Sequence, residues 1–189
     1  MYGQKPPMSS AAFKEFVKPM LSAGDAKILD LVSIDPQPLA PGNEGPSYEE
    51  NSPLSGSKFI DNWREWERTL RLTIAKHRAL KLKRENGAPV EPPILPTDAV
   101  AAAVKAVTET ETPLEGEILL DKARWSAIDA LVGFNYFNSN TIFAYLLKLI
   151  LLERRESFNT EEGFAEYKSL YASILDRVQS GVSPVGEPK

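Results

Sequence analysis

The sequence contains no cysteine and only one histidine, His77. Without cysteine there are no disulfides, no thiolate metal sites and no thiol nucleophile. A single histidine leaves few zinc arrangements and restricts any Ser-His scheme to His77 itself. No alternating apolar–polar run is long enough to suggest a strand. There is no glycine-rich phosphate loop, Gly-x-Ser-x-Gly elbow or Walker-type segment. Long apolar runs are missing too: the stretch 142–152 is about a dozen residues, whereas a membrane-spanning helix needs ~20. No charged-then-apolar leader precedes a small-residue cleavage site. These gaps lead us to expect a cytoplasmic, non-enzymatic protein with no catalytic residues, no cofactor, no metal and no small-molecule substrate.

What is present fits a globular helical chain. The 189 residues are 42% hydrophobic and 25% charged, ordinary values for a protein with a real core. The expected architecture is all-α. About six helices form a bundle in a single domain over 1–180, followed by a flexible tail at 181–189. Prolines punctuate it. Pro36, Pro38, Pro41, Pro46 and Pro53 fall within 35–56, and Pro89, Pro92, Pro93 and Pro96 within 87–96. Proline lacks a backbone N–H, so the first segment reads as a loop and the second as a stiff connector. Loops of that length are either functional or disordered.

Helix starts are well marked. Ser9 or Ser10, Ser22 with Asp25, Thr97, and Thr112-Pro113 with Glu115 carry capping chemistry, in which a side-chain oxygen accepts from an orphan backbone N–H. Asn138, Ser139 or Asn140 caps a helix that is apolar nearly all round from Ile142 to Leu152, which predicts a buried central helix. Glycines 87 and 133 read as helix stops. A long helix is predicted over 57–86. Phe59, Trp63, Trp66, Leu70, Thr73, His77 and Leu80 recur on it at spacings of four and three, as one inward stripe. Leu114, Ile118, Trp125, Ile128 and Leu131 are expected inward on the helix after Thr112. A last helix is predicted from Asn159, striped by Phe164, Tyr167, Tyr171, Ile174 and Val178.

Charge is unevenly placed. The segment 58–84 has nine cations against three anions, a local charge of +6, so the remainder carries −10 of a total of −4. A basic helix of this kind is a solvated face, a protein-docking face or a nucleic-acid surface. The overall acidity disfavours nucleic acid, and the tryptophans share the inward stripe. The residues expected to meet a partner are Arg64, Arg68, Arg71, Arg78, Lys81, Lys83, Arg84, Arg154 and Arg155. A di-iron bundle would need Glu-x-x-His on two helices, but Ile74 precedes His77 at that spacing and no second histidine exists. His77 is expected at the core edge, as a structural side chain rather than a base. Lys148, among leucines, should either snorkel to water or pair with an acid such as Glu117 or Asp121.

Several stretches resemble a known family. They are Leu114-Glu115-x-Glu117, Asp121-Lys122-Ala123-Arg124-Trp125, Tyr136-Phe137, Ala144-Tyr145-Leu146-Leu147-Lys148-Leu149 and Glu153-Arg154. Together they are similar to the C-terminal signature of a bacterial family of unknown function encoded alongside V/A-type ATPase subunits. Lys5-Pro6-Pro7-Met8-Ser9, Phe13 and Leu21-Ser22-Ala23-Gly24-Asp25 resemble it as well. Two departures stand out: an apolar segment expected before the Pro-Pro motif is replaced by Met1-Tyr2-Gly3, and Asn138 stands where an Asp is expected. The central helix is also similar to the hairpins of the stalk subunit called C or d. The resemblance implies an accessory or central-stalk-type subunit, or an assembly factor, that contacts V/A-type ATPase subunits. It would be cytoplasmic or peripheral to the inner membrane through the complex. No functional residue is carried over. The alternative is a helical nucleic-acid-binding module using the basic helix 58–84.

Overall fold

The computed structural model describes residues 4–35, 55–82, 97–134, 137–158 and 168–173. Among them are six α-helices and one 3₁₀ turn in residues 10–156, a further helical stretch at 168–173, and no strand. The helices are α1 (Ser10–Val17), α2 (Ala23–Asp30), α3 (Lys58–Lys81), α4 (Asp98–Glu109), α5 (Pro113–Val132) and α6 (Ser139–Glu156), with the 3₁₀ turn at Lys18–Met20. The protein is therefore all-α. Among the described residues no helix is long and apolar enough to cross a membrane. Most of the loop 35–56, the connector 87–96, the tail, Gly87 and most of the last predicted helix lie outside the described residues. The chain divides into two compact units, Met1–Arg155 and Glu156–Lys189. In the second unit residues 168–173 are helical.

The caps are those that local chemistry dictates. Ser9 accepts from Ala12 N, Ser22 from Asp25 N, Ser57 from Ile60 N, Thr97 from Val100 N and Thr112 from Glu115 N. Pro113 opens α5 where a missing N–H is harmless. The Asn138 Oδ1 accepts from Thr141 N at 3.2 Å, so an amide oxygen does the capping work at the start of α6. Gly133 ends α5 at φ 65°, a conformation side chains rarely adopt.

Two apolar clusters fill the first unit. The larger joins Leu29, Val32 and Ile34 to Phe59, Ile60 and Trp63 of α3, Ala127 and Ile128 of α5, and Phe143, Ala144, Leu146, Leu147 and Leu151 of α6. The smaller joins Leu70 and Ile74 of α3 to Val100, Val104 and Val107 of α4 and Leu120 of α5. The N-terminal half of α3 thus shares a cluster with the C-terminal half of α5, and the converse halves share the other. That register makes the two helices antiparallel partners running through both clusters. α6 is the buried helix that its composition predicts, except that Tyr145 is 41% exposed. The Tyr145 ring packs on Phe13 of α1 at 4.9 Å between centroids. Ser10 N donates to Glu153 Oε1 at 2.7 Å, and Ser57 Oγ to Asn140 Oδ1 at 3.2 Å, so polar bonds hold both ends of α6.

The predicted α3 stripe holds as far as Thr73 and fails beyond it. Phe59, Trp63, Leu70 and Thr73 are buried, with Ile60 and Ile74 buried beside them, and Trp66 is half-buried, while His77 is exposed and Leu80 is 68% exposed. His77 is therefore not the core-edge histidine that periodicity suggested. The inward face ends there because α3 contributes to the two apolar clusters only as far as Ile74. On α5 only Ile128 of the predicted stripe is buried; Leu114, Ile118, Trp125 and Leu131 are half-buried. A large-to-small change separates the two situations. Leu147→Ala, wholly inside the larger cluster, should destabilise by ~2–5 kcal/mol. Leu80→Ala should stay within about 0.5 kcal/mol of the parent. Urea denaturation measures both, and equal effects would contradict this placement of α3.

Candidate functional site

Charged side chains occupy the place where the two apolar clusters meet. On α3 Glu67 lies between Trp63 and Leu70, and on α5 Arg124 lies between Leu120 and Ala127. Both are buried. Arg124 Nη2 donates to Glu67 Oε1 at 2.9 Å, Nε to Glu67 Oε2 at 3.1 Å, and Nη1 to Asp121 Oδ1 at 2.8 Å. Arg71 Nε donates to Glu67 Oε1 at 2.8 Å, and its Nη2 to the Ile34 carbonyl at 2.7 Å. From α6, Arg154 donates to Asp121 Oδ1 at 3.1 Å and to Glu117 Oε2 at 2.6 Å. Three arginines and three carboxylates thus bind α3, α5 and α6 together.

The surroundings tune the charges. Burial opposes the charge of Arg124, but hydrogen bonds and attraction from Glu67 and Asp121 outweigh it and raise its pKa above the ordinary value. Asp121 behaves oppositely. Burial lifts its carboxyl above the ordinary range, while Arg124 and Arg154 pull it down and Glu117 adds a smaller upward push. The Asp121 Oδ2 is buried with no hydrogen-bond partner, which fits that upward direction.

The network absorbs part of the predicted interaction surface. Arg71 and Arg154 are bonded internally, and Arg64 Nη2 lies 3.5 Å from the Leu31 carbonyl. Arg68 and Arg155 are half-buried and Lys83 and Arg84 fall outside the described residues. Arg78 and Lys81 are exposed. Of the seven described cations, Arg71 and Arg154 are thus engaged within the fold, and Arg78 and Lys81 are the exposed ones.

Lys148 bonds neither Glu117 nor Asp121, since those acids are held by arginines. Its ammonium pairs with Asp129 and sits 4.8 Å from the centroid of the Trp125 ring, a cation–π arrangement. Among the described residues no three His, Asp or Glu side chains converge as a metal site. Glu67 and Asp121, the buried acids, are both filled by Arg124.

Sequence reasoning missed Glu67, Asp121 and Arg124. A signal was available. Ile60, Trp63, Glu67, Leu70 and Ile74 form an uninterrupted three-four stripe once Glu67 is allowed inside. The assumption that charges face water concealed it.

Beyond the network, a pocket of about 280 Å³ opens where the end of α3 meets the α4–α5 corner. Arg78, Lys81, Val107, Thr110, Pro113 and Gly116 are among its lining residues. Gly116 lets α5 approach closely there: a Cβ would come within 3.3 Å of Thr110 Oγ1.

Residues 100–181 match a family described as protein of unknown function (DUF2764). No curated protein and no solved structure matches the chain.

The buried pair gives two expectations. Arg124→Met leaves Glu67 with Arg71 and Asp121 with Arg154 but removes the buried guanidinium between them, and should destabilise by ~3 kcal/mol. Replacing Glu67, Asp121 and Arg124 together by apolar residues of similar size should cost less than that single change, by urea denaturation. The second concerns pH. A carboxyl raised by folding holds more protons folded than unfolded. Its contribution is therefore full below the ordinary carboxylate pKa and lost as pH rises through the folded value. The stability of the parent relative to Asp121→Asn should fall as pH rises from about 4 through that value. A difference that is flat or rises with pH would contradict the assignment.

Proposed function

We propose that this chain is a non-enzymatic accessory or central-stalk-type subunit, or assembly factor, of a bacterial V/A-type ATPase, acting through protein–protein contacts. The resemblance of Leu114–Glu117, Asp121–Trp125 and Ala144–Leu149 to a family encoded with such subunits motivates the ATPase assignment. The match over residues 100–181 covers the same stretch. One structural observation carries the contact surface. Once the fold has engaged Arg71, Arg154 and Arg64, the exposed end of α3 still displays Arg78 and Lys81 beside Leu80 and Leu82, which are 68% and 62% exposed. Mixed basic and apolar surface of this kind suits a protein partner. The chain would be cytoplasmic and held at the inner membrane only through its complex.

The alternative, nucleic-acid binding by α3, loses support from the same observation. Arg64 and Arg71 turn toward the protein's own backbone carbonyls, which interrupts any phosphate track along the helix.

Capture from native membranes, read by mass spectrometry, tests the proposal. The parent chain should bring down V/A-type ATPase subunits. Arg78→Glu with Lys81→Glu should remove them while the circular dichroism spectrum is unchanged. Undiminished recovery with that variant would refute the docking surface, and recovery of no ATPase subunit by the parent would refute the complex.

A further inference from the structure

The groove at the α4–α5 corner and the buried network share one residue. Glu117 lines the pocket together with Arg78, Lys81 and Glu111, and its Oε2 accepts from Arg154 Nη2 at 2.6 Å. The Glu117 side chain is 35% exposed, that of Asp121 only 1%. Arg154, on the last turn of α6, is thus held between an acid that meets solvent and one that does not. The buried acid is unevenly used. Asp121 Oδ1 accepts from Arg124 Nη1 at 2.8 Å and from Arg154 Nη1 at 3.1 Å, while Oδ2 is buried with no partner. A bare buried acceptor costs free energy, and two guanidinium groups crowd its twin. The exposed acid has rivals. Arg78 and Lys81 are exposed, and Lys81 Nζ reaches the Thr108 carbonyl only at 3.5 Å. While Arg154 keeps Glu117, those two cations face Glu111 alone among the lining acids.

We propose that Arg154 is a two-position clasp. In the first position, seen in the structure, it bridges Asp121 Oδ1 and Glu117 Oε2. In the second, Glu117 turns into the pocket toward Arg78 and Lys81, and Arg154 moves onto Asp121 Oδ2. Each carboxylate oxygen of Asp121 then takes one guanidinium, and the two cations of the pocket meet two acids. The exchange trades one partly exposed ion pair for another, terms of small and similar size, and it satisfies the bare oxygen. The two positions therefore lie close in energy, and a modest change at the pocket shifts the population between them. The clasp links the exposed end of α3 to the buried network through Glu117. It needs no partner. An anion seated on Arg78 and Lys81 would remove the rivals and hold the first position, a consequence that rests on the docking surface proposed for the end of α3.

Side-chain NMR on the full chain tests it, using the Arg154 guanidinium ¹⁵N and Asp121 carboxyl ¹³C signals. The substitutions spare the core, since Arg78 and Lys81 are exposed and Glu117 is half-buried. Arg78→Gln with Lys81→Gln should drive the clasp to the first position, and Glu117→Gln to the second. Both signals should move in opposite directions in the two variants, with the parent between them. Exchange of the Arg154 guanidinium hydrogens with water should stay within about twofold of the parent in Glu117→Gln, because Asp121 Oδ2 replaces the lost acceptor. A fixed Arg154 would instead lose a charge-assisted bond there and exchange about tenfold faster or more. That acceleration, or parent signals that coincide with those of Arg78→Gln with Lys81→Gln, would overturn the proposal. Membrane capture decides the docking surface and these signals decide the clasp, so each stands or falls without the other.

Discussion

The fold depends on one buried guanidinium. Arg124 must leave water, and it does so only because Glu67 takes it from α3 and Asp121 from its own helix. A desolvated charge without such partners would be untenable. The pairing therefore constrains rotation and translation together: α3 must present Glu67, α5 must present Arg124 one turn after Asp121, and α6 must bring Arg154 to the other side of Asp121. Apolar contacts alone tolerate slippage by a helical turn. A bidentate arginine does not. The net energy of such a group against an apolar replacement is small, and its effect lies in which packing is allowed.

This constraint changes how the family resemblance is understood. Glu117, Asp121, Arg124 and Arg154 are among the residues that carry it, and all four lie in the network. Trp125 and Lys148 lie against each other. These positions specify a shape. The docking surface is argued from different residues, Arg78, Leu80, Lys81 and Leu82, which follow the packed part of α3. Shape and contact are thus held by separate parts of the chain, and α3 contributes to both.

Much of the fold was legible in the sequence. Capping residues act over three or four positions, so Ser9, Ser22, Thr97, Thr112 and Asn138 could be read locally, and each caps its helix. The apolar run of α6 announced burial by composition alone. Facing was harder. A stripe read on α3 by hydrophobicity chose His77 and Leu80 over Glu67, because no local rule says that a glutamate will meet an arginine fifty-seven residues later. The same blindness hid Asp121 and Arg124 on α5, and it named Glu117 and Asp121 as acids for Lys148 where the exposed Asp129 takes it. Where a cation binds depends on which acids other cations leave over, and that is a property of the assembled chain. The groove at the α4–α5 corner was illegible for the same reason, being made by three helices.

The position of the network between two apolar clusters has a dynamic consequence. α4 contributes three of the six buried residues of the smaller cluster, and its contacts are with α3 and α5. If α4 lifts away, Glu67 and Arg124 need not be stranded, because water can reach them as the neighbouring cluster opens. Hydration then offsets part of the lost packing, so opening at this seam is cheaper than opening through the larger cluster. Amide hydrogens of α4 should accordingly exchange by a partial opening, ahead of those of α6, which exchange only when the larger cluster comes apart.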